Sequence, residues 1–589
     1  MPVEPTPAPA VPGLPPAGPS AADLPLQLFL ARMANGISPA SVLLAQADWL
    51  SHLAASPARQ AELAASAWHK LGQWTHYAGH SWYGDCPGCV EPAPRDKRFS
   101  APQWRLPPYR QLAQAFLLQE RWWAEAGTGV RGVSRHHEEV AAFSVRQWLD
   151  MCAPSNFLPT NPQVLAKTLR TGGANLVGGF SNWWRDALTL MGNGNPRGVE
   201  RFAVGRDVAC TPGRVVMRNR LVELIEYQPS TARVYAEPVL IVPSWIMKYY
   251  ILDLTPQDSM VRYLVGKGHR VFMVSWRNPD AGDRDLGIED YLQLGVVAAL
   301  EAVRRRASGR KVHCAGYCLG GTLLAIAAAA PGTGVPDAIA TLTLLAAQTD
   351  FAEPGELGLF IDESQIAFLE NLMAGRGFLD GREMAGAFAL INSRDLVWSK
   401  LVHEYLMGAE TPMTALRAWN ADATRLPARM HSQYLRGLYL HNDLAEGRFK
   451  VAGRPVSLAD IKVPLFALST EQDHVSPWTS VYKIHHLTTA PVTFVLVSGG
   501  HNAGVVSPPS GPAAKPEAYY RIATAPVRRA AAGPQAWKDA APPVQGSWWP
   551  AWHAWLRGYS SARAPAGPVA KPAGGLGIID APGSYVHQR

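Results

Sequence analysis

Apolar and polar positions change period several times along the 589-residue chain, and the changes mark out its parts. From Leu24 to about Tyr77 apolar residues recur at helical spacing, as in Leu43-Leu44, Trp49-Leu50, Leu53 and Leu63, which predicts two or three helices. A segment carrying prolines and charges, 92–108, leads to a second region of helical spacing over 109–190. Strand patterns dominate from 215 to 245. Strand and helix then alternate, with strands at 238–242 and 271–275, a helix over 288–307 and a strand at 312–315. Residues 351–455 interrupt this rhythm with helical and loop segments before buried-strand runs return at 463–470 and 492–497. Such alternation predicts an α/β fold with a mostly parallel sheet. The implied organisation is a proline- and alanine-rich disordered tail over 1–24, a helical extension over 25–91 and a mainly helical domain over 92–230. A catalytic core built from 231–350 and 456–559, an insertion over 351–455 and a weakly ordered tail over 560–589 complete it.

Chemistry concentrates at the end of the 312–315 strand, where residues 316–321 read Gly-Tyr-Cys-Leu-Gly-Gly ahead of the helix-prone Leu323-Leu324-Ala325-Ile326-Ala327. This is the form of a nucleophile elbow, with Cys318 where most hydrolases carry serine. Small residues on either side permit the tight strand-to-helix turn, and the helix N-terminus favours a thiolate and a developing oxyanion. A glycine-bracketed cysteine also occurs in ordinary close packing of an α/β core, so the partners decide. Asp473 follows the strand at 463–470, and His501 follows the strand at 492–497, both at strand C-terminal ends where open sheets hold their sites. Singly, Asp473 could cap a helix and His501 could be a loop histidine. Together they give the chain order nucleophile, acid, base of α/β-hydrolases. The predicted fold is therefore an α/β-hydrolase core with a helical N-terminal domain, and 351–455 is expected as a cap over the site. The backbone N–H of Leu319 and that of Trp245 or Ile246 are candidates for the oxyanion hole. Trp245 also fits simple packing against the cap, and His474, beside Asp473, is a candidate substrate contact.

Composition narrows the classes. The net charge of +8 comes from scattered basic residues, which argues against nucleic acid as a partner. The densest cluster, Arg304-Arg305-Arg306 with Arg310-Lys311, ends an amphipathic stretch where cations suit a helix C-terminus. Six cysteines, Cys86, Cys89, Cys152, Cys210, Cys314 and Cys318, are too few for a disulfide scaffold at this length. The N-terminus lacks signal-peptide regions, and no uncharged run suits a transmembrane segment, so a cytoplasmic protein is expected. His76, His80, Cys86 and Cys89 have a spacing that could hold zinc, and Cys86-Pro87-Gly88-Cys89 equally fits a simple turn. His136-His137-Glu138-Glu139 reads as a solvated helix face. The run Trp548-Trp549-Pro550-Ala551-Trp552-His553-Ala554-Trp555 fits either an interfacial anchor or the closure of a core.

Further segments carry a resemblance: Ser155-Asn156-Phe157-Leu158 with Thr160-Asn161-Pro162, Lys248-Tyr249-Tyr250-Ile251-Leu252-Asp253-Leu254, Val274-Ser275-Trp276-Arg277-Asn278-Pro279, Asp395-Leu396-Val397-Trp398, Gly500-His501 and Gly546-Ser547-Trp548-Trp549-Pro550. With the Cys318 box, these make the chain similar to the class I, single-subunit polyhydroxyalkanoate synthases, the poly(3-hydroxybutyrate) polymerases, over roughly residues 100–558. Departures from the family pattern are Ser244, Met247 and Ala421. The resemblance implies an acyltransferase that polymerises (R)-3-hydroxyacyl-CoA, short-chain 3-hydroxybutyryl-CoA in particular, through a cysteine-bound acyl group. Asp473 would serve chiefly to activate the incoming hydroxyl. It also implies a homodimer associated with polyester granules and granule-coat proteins, with no cofactor or metal beyond the CoA carried by the substrate. The rival activities are those of a thioesterase or polyester depolymerase with the same three residues, or of a non-catalytic granule protein.

Overall fold

The computed structural model describes residue 26 and residues 37–589 apart from 83, 85, 94, 95, 193, 512, 513, 526–532 and 570–576. The tail expected over 1–24 lies outside the described residues. Ten strands form one sheet: β1 (Gly213–Arg218), β2 (Val222–Tyr227), β3 (Val239–Val242), β4 (Val271–Trp276), β5 (Val312–Tyr317), β6 (Ile339–Leu345), β7 (Leu465–Thr470), β8 (Val492–Val497), β9 (Tyr519–Ala525) and β10 (Pro543–Gln545). Their spatial order is β1-β2-β4-β3-β5-β6-β7-β8-β9-β10. The six strands from β4 to β8 run parallel, and antiparallel pairs extend the sheet at both ends. This is the α/β-hydrolase fold. Helices cover both faces, so β3, β5, β7 and β8 are buried at every position and read as continuous apolar or small-residue runs.

The helix after β4 is a succession of three stretches, Ile288–Asp290, a π-helical Tyr291–Val297 and Ala298–Arg306. The π-helical stretch packs closely against Trp276. The Trp276 indole lies where a Cβ on Gly295 would come within 2.4 Å of it, and its Nε1 donates to the Pro243 carbonyl at 2.9 Å. Arg306, from the basic cluster, closes the helix by donating to buried Glu226 at 2.8 Å.

Four long helices, α1 (Pro39–Ala54), α2 (Pro57–His80), α3 (Tyr109–Ala126) and α4 (Arg135–Cys152), precede the sheet, followed by α5 (Pro162–Thr171) and α6 (Ala174–Met191). Ser38 caps α1, accepting from the Ser41 amide, and Asn161 caps α5, accepting from the amides of Gln163 and Val164. Trp49, Leu63, Ala126, Val130 and Ala141 pack together where α1 and α2 meet α3 and α4. The two histidines read as a solvated face are engaged instead: His137 Nδ1 lies 2.6 Å from Asp48 of α1, and His136 Nε2 lies 3.6 Å from Asp362 of the insertion. Sequence position could not reveal partners so distant along the chain.

The insertion, led by α7 (Glu363–Arg376) and α8 (Gly381–Ile391), covers the C-terminal edge of the sheet. Its Arg394 reaches Asp150 at 2.6 Å, joining a buried network in which Arg98 binds Asp96, Glu120 and Asp150. On α6, a Cβ at Gly179 would fall 1.7 Å from the Tyr405 carbonyl, so that helix lies directly on the insertion.

Two expectations need correction. β1 and β2, inside the region assigned to a mainly helical domain ending at 230, belong to the sheet, because β2 pairs antiparallel with β4. The weakly ordered tail is ordered wherever it is described: Arg563–Pro565 pairs with Arg233–Tyr235, the Val215 amide donates to Ile579, and buried Glu223 accepts from the amides of Ser584 and Tyr585. These residues dock through backbone and scattered side-chain bonds rather than through a periodic apolar face, so they carry no period. No described helix is long and apolar enough to cross a membrane.

The tryptophan run closes the core. In α9 (Trp549–Gly558), Trp552 is fully buried and its Nε1 donates to Thr343 Oγ1 at 3.0 Å. Trp552→Ala is therefore expected to cost about 3–5 kcal/mol, read as a large drop in the urea midpoint. Trp183→Ala, on the half-exposed face of α6, should cost about 0.5 kcal/mol or less.

Candidate active site

Cys318 stands between β5 and the helix Leu319–Ala329 with φ 53° and ψ −127°, a left-handed turn conformation unusual for a side-chain-bearing residue. Close packing holds it there. A Cβ on Gly316 would lie 2.3 Å from Gly321 Cα, one on Gly320 2.2 Å from the Val242 carbonyl oxygen, and one on Gly321 2.5 Å from Ala347 Cβ. The three glycines of the motif thus let strand, helix and the loop after β3 approach to contact. Cys314, two residues before the motif on β5, is 1% exposed, and burial pushes its thiol far up.

Asp473 and His501 converge on the same edge, with His501 Nδ1 2.7 Å from Asp473 Oδ2. The carboxylate is fully engaged. Oδ1 accepts from the amides of Val475 (2.9 Å) and Ser476 (2.7 Å), and Oδ2 also accepts from Thr470 Oγ1 (3.1 Å). Burial alone would pull the His501 imidazole down, but the charge of Asp473, with that of the neighbouring Cys318, and the hydrogen bond to Asp473 hold it well above its usual value.

The segment bearing His501 is clamped from beneath. Trp548 Nε1 donates to the Gly504 carbonyl at 3.1 Å, Trp549 Nε1 to that of Val505 at 3.0 Å, and Tyr317 OH to Asn502 Oδ1 at 2.5 Å. The C-terminal tryptophans therefore position the His501 segment as well as closing the core. The loop after β3 is held by the insertion: Thr424 Oγ1 donates to the Trp245 carbonyl (3.0 Å), Trp419 Nε1 to that of Lys248 (2.7 Å) and Tyr250 OH to Asp422 (2.9 Å).

Cys318 opens into a cavity of about 110 Å³ beneath the insertion, walled mainly by apolar side chains. Leu319 and Ile246 line it, whereas Trp245 packs behind, against Tyr291 and Tyr434. His474 is exposed and absent from the wall. Its neighbours Val475 and Ser476 occupy that position, because the turn accepting their amides on Asp473 carries His474 outward. Several lining residues carried no signal in the sequence: Gln348, His431, Tyr434, Tyr439 and Ile37. Ile37 comes from the segment leading into α1, fixed to the insertion by Ser38 N donating to Gln365 Oε1 at 2.7 Å and by Ser41 bonding Asp362. The His76 and His80 rings lie 4.3 Å apart, tilted by 31°, and Cys89 contacts the Gln73 carbonyl. Among the described residues no group of three or more His, Cys, Asp or Glu is placed to hold a metal.

Relatives place this geometry. A profile described as "Poly-beta-hydroxybutyrate polymerase (PhaC) N-terminus" matches residues 95–264, one described as "Poly-beta-hydroxybutyrate polymerase N terminal" matches 17–59, and "alpha/beta hydrolase fold" matches 237–508. The chain is 39% identical to a poly(3-hydroxyalkanoate) polymerase of Methylorubrum extorquens, over 92% of this chain and 89% of that one. The chain belongs to the poly(3-hydroxyalkanoate) polymerase family. It is also 37% identical to the polymerase subunit PhaC of Rhizobium meliloti, over 84% of this chain and 80% of that one, and 38% identical to that of Cupriavidus necator, over 83% of each. The chain is thus an enzyme of the acyltransferase type, a polyhydroxyalkanoate synthase that makes polyester, and its hydrolase-like core serves synthesis. In this polymerase two of the departures from the family pattern lie along one seam: Met247 forms a β-bridge with Ala423, two residues from Ala421. Ser244, the third, is buried with its hydroxyl unpartnered among the described residues.

If the elbow sets reactivity, iodoacetamide should modify Cys318 at least about 100-fold faster than Cys314. Peptide mapping checks this, and equal labelling would remove the distinction.

Proposed function

We propose that Cys318 takes the acyl group of an (R)-3-hydroxyacyl-CoA and passes it to the growing polyester chain. Supporting this are the His501–Asp473 hydrogen bond, the electrostatic coupling of His501 to Cys318, and the place of Cys318 on the wall of a cavity beneath the cap. The thiol gives its proton to His501, the sulfur bonds to the thioester carbon, and the carbon–sulfur bond to CoA breaks as His501 returns the proton to the departing thiolate. In the second step His501 accepts the proton of an incoming hydroxyl. A carbon–oxygen bond forms, the bond to Cys318 breaks, and the proton returns to the cysteine sulfur. The Leu319 amide, with a donor from the loop at Trp245 and Ile246, would stabilise the oxyanion in both steps. No metal or prosthetic group enters this scheme.

We read Asp473 as acting on the incoming hydroxyl through His501. Its side chain is fully buried and its oxygens are occupied by two amides, Thr470 and His501. It therefore acts through His501, stabilising the imidazolium. That support matters most in the second step, where the proton comes from a weakly acidic hydroxyl rather than from a thiol.

The cavity size supports a short acyl group. An engineered apolar cavity of about 150 Å³ accepts benzene, and a 3-hydroxybutyryl unit has the same number of non-hydrogen atoms. Phe351, Ile361 and Tyr439 also line a wider cleft between α4 and the cap, a candidate route for CoA and product. We include in this reading a homodimer working at the polyester surface. The exposed Val177, Phe180 and Leu190 of α6 provide an apolar face compatible with such a surface.

The reading predicts different failures for two variants. His501→Gln should block even the first acylation, by about 100-fold or more. Asp473→Asn should still accept a first acyl group and then stall, seen by mass spectrometry as an adduct on Cys318 with little polymer. Equal loss of acylation in both variants would contradict the division of labour.

A further inference from the structure

The polar groups on the cavity wall are nearly all committed. Thr322 Oγ1 donates to the Gln348 carbonyl at 2.7 Å, Gln365 Oε1 accepts from Ser38 N at 2.7 Å, and Glu383 binds the Asp380 amide at 3.1 Å and Arg376 at 2.9 Å. The Tyr434 and Tyr439 rings pack edge to face, centroids 5.2 Å apart. Two side chains stand apart. Gln348 and His431, each 3% exposed, have Nε2 and Nδ1 respectively buried with no partner among the described residues. A buried polar atom left unpaired costs about 1–3 kcal/mol, and two on one reaction cavity mark a place where a ligand completes the bonding.

The chemistry of the pair defines that ligand. Burial pulls His431 down to about 4, so its ring is neutral at physiological pH and carries one donor and one acceptor nitrogen. The Gln348 Nε2 amide only donates. A hydroxyl, which donates once and accepts, satisfies both together; a methylene satisfies neither. Placement agrees. Gln348 is tied through its carbonyl to Thr322, one helical turn, or about 5.4 Å, beyond Cys318.

We propose that Gln348 and His431 recognise the 3-hydroxyl of the acyl group carried on Cys318, making them specificity-determining residues. The proposal rests on the acyl-transfer reading above and adds which substrate atom the cavity selects. A 3-deoxy acyl group would leave both nitrogens unpaired, and sites built to bond a hydroxyl discriminate strongly against analogues lacking it.

The test measures first-turnover acylation of Cys318 in the full-length protein, by mass spectrometry, with (R)-3-hydroxybutyryl-CoA and with butyryl-CoA. Wild type should favour the hydroxylated substrate by about 10- to 100-fold. In Gln348→Leu and His431→Phe the ratio should fall to within about threefold. Because both rate constants come from one preparation, the fraction of folded enzyme cancels. Should Gln348→Leu fail to yield folded protein, Gln348→Met, similar in size and unable to donate, carries the same expectation. A wild-type ratio near one, or a ratio unchanged in the variants, would overturn the proposal. Wild type left unacylated by either substrate would instead overturn the reading on which it rests.

Discussion

The left-handed turn at Cys318 is the constraint on which the rest of the molecule depends. A backbone of this kind costs about 1–3 kcal/mol when it bears a side chain, and it persists because its surroundings allow no alternative. β5 is paired on both sides within the sheet. The following helix, Leu319–Ala329, is buried at every one of its residues. Glycines at 316, 320 and 321 bring the two elements together at distances no other residue would permit. Burial of a large apolar surface thus holds one strained residue with its sulfur at the sheet edge, where His501 awaits it.

From that fixed point, the site is completed by parts far apart in the chain. The C-terminal tryptophans seat the segment that carries His501, while the insertion seats the loop opposite the elbow through Thr424, Trp419 and Asp422. The N-terminal extension closes the far wall with Ile37, anchored to α7 of the cap by Ser38 and Ser41. The cavity beside Cys318 is therefore enclosed by three regions of the chain. Any displacement of the insertion would break its contacts with α1 and that of Arg394 with Asp150.

Much of this was legible in the residues, for physical reasons. Strands buried on both faces leave uninterrupted apolar runs, and an elbow demands small residues at fixed offsets; the sheet, Cys318, Asp473 and His501 could be found this way. What escaped were features made by distant contacts. The 577–589 segment docks through backbone and scattered side-chain bonds and carries no period. His136 and His137 looked solvated because their partners, Asp362 and Asp48, lie on other elements. His474 was set beside Asp473 by sequence, yet the turn that satisfies the carboxylate directs it outward. Gln348 and His431 belong to no motif, and only their unpaired nitrogens single them out.

The central claim is that a hydrolase-like triad in this chain transfers its acyl group to a hydroxyl and not to water. Its most direct test is the product formed when purified full-length protein is incubated with (R)-3-hydroxybutyryl-CoA while CoA release is recorded. The account predicts that the released CoA is matched by ester-linked polymer, recovered as an insoluble or high-mass product. Stoichiometric free 3-hydroxybutyrate without polymer would contradict it and would make the chain a thioesterase.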